Sequence, residues 1–289
     1  MNGRQAQTIR KQRQARLDGL WPRRRPVVMA VLNRTPDSFS DGGLFMEAGT
    51  AIAHGESLIA EGADIIDIGG ESTRPGAEPV PANEQLRRVL PILAELRKRH
   101  PETLLSVDTS DLGVAEAVID AGADLINDVT AASQSGLLEL VASRDAAIVL
   151  MHMRGSPRTM QVDTVYDDVV ADVRSFLERR ARRAVDTGIP SHRVWIDPGI
   201  GFGKDDSGNL RLLAALPELA GLGHPVLIGA SRKSFIGRLT GAAVEARLPG
   251  SLAALIPVVG LARTVVRVHD AAASVQFLEL ASRLHEVAS

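Results

Sequence analysis

EGADIIDIGG (residues 61–70) and AGADLINDVT (residues 121–130) are two copies of one local design. In each, a Gly stops a helical pattern, a short apolar run follows, and the run ends in polar residues. The unit recurs from Pro26 onward. Eight such runs can be read: VVMAVLN ending at Asn33, DIIDIGG at Gly70, LLSVD at Asp108, DLIND at Asp128, AIVLMH at His152, RVWID at Asp197, PVLIGAS at Ser231 and TVVRVHD at Asp270. Runs this short and this apolar suit strands buried on both faces. The segments between them are helical in period. EQLRRVLPILAELRKR (residues 84–99), for example, places Leu86, Val89, Leu90, Leu93 and Leu96 on one stripe. Eightfold βα alternation predicts an α/β fold of the (β/α)8 TIM-barrel type, with the active site built from the carboxyl ends of the strands. A doubly wound open sheet is the weaker alternative.

Composition agrees with one large α/β domain. The chain has 289 residues, 45% of them hydrophobic and only 3% aromatic, so Leu, Val, Ile and Ala must fill the core. It has no Cys, which excludes disulfides, thiolate nucleophiles and Cys-ligated zinc and fits a reducing, cytoplasmic compartment. The longest apolar stretch, LAALIPVVGLA (residues 252–262), is broken by Pro257 and Gly260 and is too short to span a bilayer, so no membrane partner is expected. Residues 1–26 hold eight Lys or Arg against one acid, Asp18. They read as a flexible basic N-terminal extension before a barrel over residues 27–289, with no nucleic-acid role assigned.

The strand ends carry the chemistry: Asn33, Asp67, Asp108, Asn127, His152, Asp197, Lys233, Arg267 and His269. A barrel gathers them on one rim. In the last run, period two puts Arg267 and His269 on the same face as Val265. GIGFGKD (residues 199–205) is rich in Gly and ends in Lys and Asp, yet lacks the spacing of a phosphate-binding P-loop, so no nucleotide is assigned.

NRTPDSFSDGG (33–43), GGESTRPGA (69–77), SVDTS (106–110), INDV (126–129), LMHMRGSPRTMQ (150–161), DPGIGFGK (197–204), GASRKSFIG (229–237), RLPGSLAA (247–254) and VRVHD (266–270) together resemble the dihydropteroate synthase family, in the family's order. The resemblance runs from about Val27 to the C-terminus. It implies a pterin-binding barrel that joins 6-hydroxymethyl-7,8-dihydropterin pyrophosphate to p-aminobenzoate, releases pyrophosphate and uses Mg²⁺. A non-catalytic pterin-binding paralogue and a methyltetrahydrofolate-dependent corrinoid methyltransferase are the rival readings. The resemblance implies Lys233, Asp108 and Asp197 as catalytic, and Asp108, Asn127, Asp197, Lys233 and Arg267 around the pterin. Carboxylates, a carboxamide and a cationic donor are what the flat hydrogen-bonding edge of a pterin requires. Asn33, Arg267 and His269 are implied for the pyrophosphate, with Asn33 also the Mg²⁺ contact. Thr73, Arg74, Pro75, Phe202, Lys233 and Ser234 are implied for p-aminobenzoate, and sulfonamides, its mimics, as inhibitors. Asp37, Ser38, Phe39, Ser40 and Asp41 read as a lid closing over the pterin pyrophosphate. The resemblance leaves a homodimer open. The chain departs from the family at Arg34, at Asp111-Leu112-Gly113 in place of a basic residue, at Val129-Thr130-Ala131 in place of a Gly-containing turn, and at Pro257, which predicts a kinked helix.

Overall fold

The computed structural model describes residues 3–33, 43–72, 76–156, 158–160 and 162–289. Arg34, the lid residues Asp37, Ser38, Phe39, Ser40 and Asp41, and Thr73, Arg74 and Pro75 lie outside the described residues.

Eight parallel strands close into a barrel in chain order. They are β1 (Val27–Asn33), β2 (Ile65–Gly69), β3 (Leu104–Asp108), β4 (Leu125–Asp128), β5 (Ala147–Met151), β6 (Val194–Asp197), β7 (Val226–Ile228) and β8 (Thr264–Val268). β1 pairs with β8 to complete the ring. The strand alternation sorts the side chains cleanly. Ile66, Ile68, Leu105, Val107, Ile126, Ile148, Val194, Ile196, Val226 and Val266 face outward and pack under the helices. Val27, Met29, Ile65, Leu104, Leu125, Ala147, Val149, Trp195, Leu227 and Val265 face inward and fill the lower half of the barrel with apolar volume. The next inward positions towards the carboxyl ends change character, to Asp67, Ser106, Asn127, Asp197 and Arg267. The barrel is therefore a solid core below and a polar cup above.

Helices alternate with these strands: α1 (Gly3–Asp18), α2 (Gly43–Ala60), α3 (Ala82–Arg99), α4 (Leu112–Asp120), α5 (Leu137–Ser143), α6 (Val169–Asp186), α7 (Asp206–Ala214), α8 (Leu216–Ala220), α9 (Ser234–Thr240), α10 (Leu248–Ala253) and α11 (Ala271–Ala288). On α3 the buried face is Gln85, Val89, Ile92, Leu93 and Leu96. Leu86 and Leu90, expected on the stripe, are only half-buried, because Gln85 turns inward to donate to Glu71 and Val80 and accept from Thr109. Pro257 does not kink a helix. α10 has already ended, and Pro257 opens a separate 3₁₀ turn over Ile256–Val258. No described helix is long and apolar enough to cross a membrane.

The basic N-terminus is not a free extension. α1 lies across the floor of the barrel, where Leu17 and Leu20 join the lower core and Trp21 meets Trp195 edge-on at 6.4 Å. Arg13 is buried and donates to the carbonyls of Ala123, Ile119 and Arg144 at 2.6–2.8 Å. Arg16 and Arg97 share Asp124, and Arg10 pairs with Asp145. The charge that marked this segment as a flexible extension is spent on carbonyls and acids beneath the barrel. Arg13→Ala strips three acceptors of their donor and is expected to destabilise the protein by at least about 1–3 kcal/mol, with activity per folded molecule unchanged. An unshifted urea midpoint would contradict this account of α1.

Candidate active site

The cup is organised by a carboxylate that sequence reading placed on the rim without a role. Asp67, on β2, is fully buried; its Oδ2 accepts from Arg267 Nε at 2.7 Å and from Asn127 Nδ2 at 3.1 Å. The second arm of the Arg267 fork, Nη2, donates to Asp108 Oδ2 at 3.1 Å. One guanidinium from β8 thus ties β2 to β3, and Asp67 fixes Asn127 of β4 in the same stroke. Two carboxylates around one planar cation hold it in a single orientation, which Lys could not reproduce. The other oxygen of Asp67, Oδ1, is buried without a hydrogen-bond partner among the described residues.

Asp197 closes the opposite side. Its Oδ1 accepts from the Gly199 backbone N–H at 2.6 Å, at the start of the GIGFGK loop. That loop is shaped by alternating left-handed glycines, Gly199, Gly201 and Gly203, at φ 67°, 83° and 67°. A Cβ at Gly199 would lie 2.0 Å from the His152 carbonyl. Lys204, which ends the Gly-rich stretch, is buried inside the loop and donates to the carbonyls of His152, Gly199 and Phe202 at 3.2, 2.9 and 2.8 Å. Burial pushes its pKa down to about 7. The loop presents Phe202, packed with Val129, Met151 and Met160, as one wall of the mouth.

Lys233 stands over that wall, with Nζ 3.9 Å from the Phe202 ring centroid. Its stem fits against Gly201, where a Cβ would come within 3.2 Å of its Cδ. Ser234, next in sequence, is exposed in the first turn of α9. Asn33 is exposed at the tip of β1, opposite Gly69 of β2, which is in turn opposite Asp108 of β3. A Cβ on Gly69 would meet Asn33 Oδ1 at 2.5 Å, so Gly there lets Asn33 lean over the cup. His269 follows Arg267 by two residues and is held by Ser231.

Charge is concentrated here to an unusual degree. Burial raises Asp108 to about 7, with Arg267 opposing and Asp67 reinforcing the rise. Burial also raises Asp197 to about 6, opposed by the Gly199 N–H and by Lys233. Lys233 is pushed down to about 8 by burial and by Arg267, with Asp197 and Asp108 pulling it back. These mutual influences put Asp108, Asp197, Lys233 and Arg267 in one electrostatic unit, the setting in which functional acids and bases occur.

Some rim residues divide differently from the sequence expectation. His152 falls on the outward parity of β5 and packs edge-on against Phe176 at 4.9 Å; burial lowers its pKa to about 3. It is a packing residue. Asp111 caps α4, accepting from the Val114 N–H at 2.9 Å, so the departure from a basic residue serves a helix end. The turn after β4 is made without Gly: Ala131 and Ala132 both adopt left-handed backbone, at φ 55° and 53°. Asp128 holds it by accepting from the Thr130 and Ala132 N–H groups, and Arg180 of α6 caps the carbonyls of both alanines.

A closed parallel barrel that gathers carboxylates, a carboxamide and cations at the carboxyl ends of its strands defines an active site of the TIM-barrel class. The family model for pterin binding enzymes matches residues 29–269. Dihydropteroate synthase from Neisseria meningitidis serogroup C is 46% identical over 260 residues, covering 88% of this chain and 91% of its own length. The structure of Xanthomonas albilineans dihydropteroate synthase with 4-aminobenzoic acid superimposes with a TM-score of 0.83 at 48% identity, covering 90% of this chain and 93% of that one. Yersinia pestis dihydropteroate synthase in a sulfonamide complex gives a TM-score of 0.84 at 40% identity, covering 91% and 95%. The chain belongs to the pterin-binding enzymes and, within them, to the dihydropteroate synthases, transferases of folate biosynthesis.

Proposed function

We infer that the cup joins 6-hydroxymethyl-7,8-dihydropterin pyrophosphate to p-aminobenzoate. The amine nitrogen of p-aminobenzoate forms a bond to the pterin methylene carbon, the C–O bond to pyrophosphate breaks, and its electron pair leaves with pyrophosphate. The proton shed by the amine goes to pyrophosphate or solvent. The products are 7,8-dihydropteroate and pyrophosphate. The observation that carries this reading is the linked set Asp67, Asp108, Asn127 and Arg267 facing Asp197 and Lys233 across one opening.

In this reading Asp197, Asn127 and Asp108 meet the pterin donors and ring edge, and Lys233 donates to its carbonyl side. Buried carboxylates beside the ring favour positive charge developing on the methylene carbon, while Arg267 and His269 favour the negative charge gathering on pyrophosphate. No side-chain nucleophile is needed. Phe202, Lys233 and Ser234 form the p-aminobenzoate end, in keeping with the neighbouring structure that carries 4-aminobenzoic acid. The donor set also suits Mg²⁺. Asn33 offers one carboxamide at the rim, and among the described residues no group of three His, Asp or Glu forms a metal cage. Such an ion keeps most of its waters and takes its remaining ligands mainly from phosphate oxygens, so a single carboxamide is a sufficient protein contact. When bound, Mg²⁺ would supply neutralisation of the leaving pyrophosphate.

Release of pyrophosphate from the pterin pyrophosphate, dependent on p-aminobenzoate and Mg²⁺, tests the reading. Binding without turnover would favour a paralogue that has lost the reaction, and methyl transfer from methyltetrahydrofolate the corrinoid class; either result overturns the synthase reading. The opposite shifts of Asp197 and Lys233 give a sign to the pH profile. Activity is expected to rise as Asp197 ionises near pH 6 and to fall as Lys233 loses its proton near pH 8. Lys233→Arg should remove the alkaline limb. An alkaline limb unchanged in that variant would remove Lys233 from the assignment.

A further inference from the structure

The exits of β7 and β8 are joined by two adjacent clamps. Ser231, buried beyond β7, accepts at Oγ from the backbone N–H of His269 at 3.2 Å, and the same oxygen lies 3.1 Å from His269 Nδ1. One residue further along each segment beyond the strands, the guanidinium of Arg232 is paired with the carboxylate of Asp270. Arg232 holds a left-handed backbone at φ 56°, and its N–H donates to Ser251 Oγ at 2.9 Å. A non-Gly residue stays in that region only where its surroundings over-determine it. The segment is thus built to hold Ser231 in one place against His269.

A hydroxyl has one proton and two lone pairs. The His269 backbone N–H takes one lone pair of Ser231. Among the described residues, Nδ1 of His269 is the acceptor in reach of the hydroxyl proton. The arrangement that satisfies both groups has Ser231 O–H donating to Nδ1, so that the neutral imidazole carries its own proton on Nε2.

We propose that Ser231 is a positioning residue for the condensation, fixing His269 as its Nε2–H tautomer so that the ring meets the departing pyrophosphate as a neutral hydrogen-bond donor. This rests on the reading of His269 as a pyrophosphate contact. It divides the labour at the leaving group: Arg267 supplies the charge, and His269 supplies a directed donor that does not add a second fixed cation to retain the product. The covalent step is the one already written; Ser231 and His269 gain and lose no atoms in it.

The test uses ¹⁵N-histidine-labelled full-length protein and inorganic pyrophosphate as the probe. Two-bond ¹H–¹⁵N spectra are expected to show His269 as the Nε2–H tautomer in the wild type and in Ser231→Thr, and as a mixture in Ser231→Ala. Pyrophosphate affinity should fall about tenfold in Ser231→Ala, the scale of one oriented hydrogen bond, and return in Ser231→Thr. The KM for the pterin pyrophosphate should rise in parallel while the KM for p-aminobenzoate stays constant. An Nδ1–H tautomer in the wild type, or Ser231→Ala with tautomer and affinity unchanged, overturns the proposal. His269→Ala separates the two levels. If that variant binds pyrophosphate as tightly as the wild type, the reading of His269 falls; if it binds weakly while Ser231→Ala does not, the positioning role alone falls.

Discussion

Arg267→Ala is expected to unfold the cup as well as silence it. The guanidinium is the shared partner of Asp67 and Asp108, two carboxylates that face each other across the interior with almost no solvent contact. Removing one partner of a buried ion pair while leaving the other costs about 3–5 kcal/mol. The loss must depend on pH, and its sign is fixed. Asp108 is raised by burial, with Arg267 opposing the rise, so the variant raises it further above its wild-type value of about 7. A carboxyl with a higher pKa folded than unfolded binds more protons when folded, so stability falls as pH climbs from the unfolded value near 4 through the folded one. The variant should therefore be least stable above pH 8 and recover much of the deficit near pH 5, where protonation removes the repulsion. Urea midpoints at the two pH values measure this. Arg267→Lys, which restores charge without the planar fork, is expected to regain stability far better than turnover. Equal deficits at both pH values would show that Asp67 and Asp108 are not the groups being stranded.

Lys233→Ala is expected to reverse that balance, lowering turnover about 10²–10³-fold with little loss of stability. Lys233 bears a burial penalty that already pulls its pKa down to about 8, and its ammonium rests on the Phe202 ring with no direct ion pair among the described residues. Deleting it therefore removes a costly charge along with a useful one. What changes is the cup's field. Asp197, lowered by Lys233 in the wild type, should titrate above its present value of about 6, moving the acid limb of the pH profile upward. Thermal unfolding and a pH–rate profile on the same preparation separate the two effects. Turnover within about threefold of wild type would be far too small a loss for a donor at the reacting end of the site.

Much of this architecture was legible in the sequence because period two and the strand ends carry it. On five of the strands the inward position above the apolar floor, at Asp67, Ser106, Asn127, Asp197 and Arg267, is polar in the sequence itself, and the alternation that put Arg267 and His269 on one face applies equally to Ile65 and Asp67. Asp67 was read as a rim residue, but its place as hub depends on β8 closing onto β1, a contact about two hundred residues apart in the chain that no local pattern encodes. His152 was misjudged for the opposite reason. Counting from Ala147 and Val149, its parity is outward, and the end of the apolar run concealed it. The GIGFGKD spacing already argued against a phosphate-binding loop, but that Lys204 would be buried against three carbonyls was not legible in it. The N-terminal segment misled most, since its basic residues have partners such as Asp124 and Asp145 far along the chain. Its one local signal was Leu17, Leu20 and Trp21, three apolar residues at the end of a charged helix.

The central claim is that Asp108, Asn127, Asp197, Lys233 and Arg267 act as one cup for one pterin. Calorimetric titration of the pterin pyrophosphate with Mg²⁺ into wild type, Asn127→Ala, Asp197→Ala and the exposed control Lys98→Ala tests it most directly. Wild type and Lys98→Ala should bind alike, and each cup variant should bind about 10- to 100-fold more weakly, as expected for loss of a hydrogen bond to a charged or buried group. Equal affinity in all four proteins would mean that the pterin binds elsewhere and that the cup has another purpose.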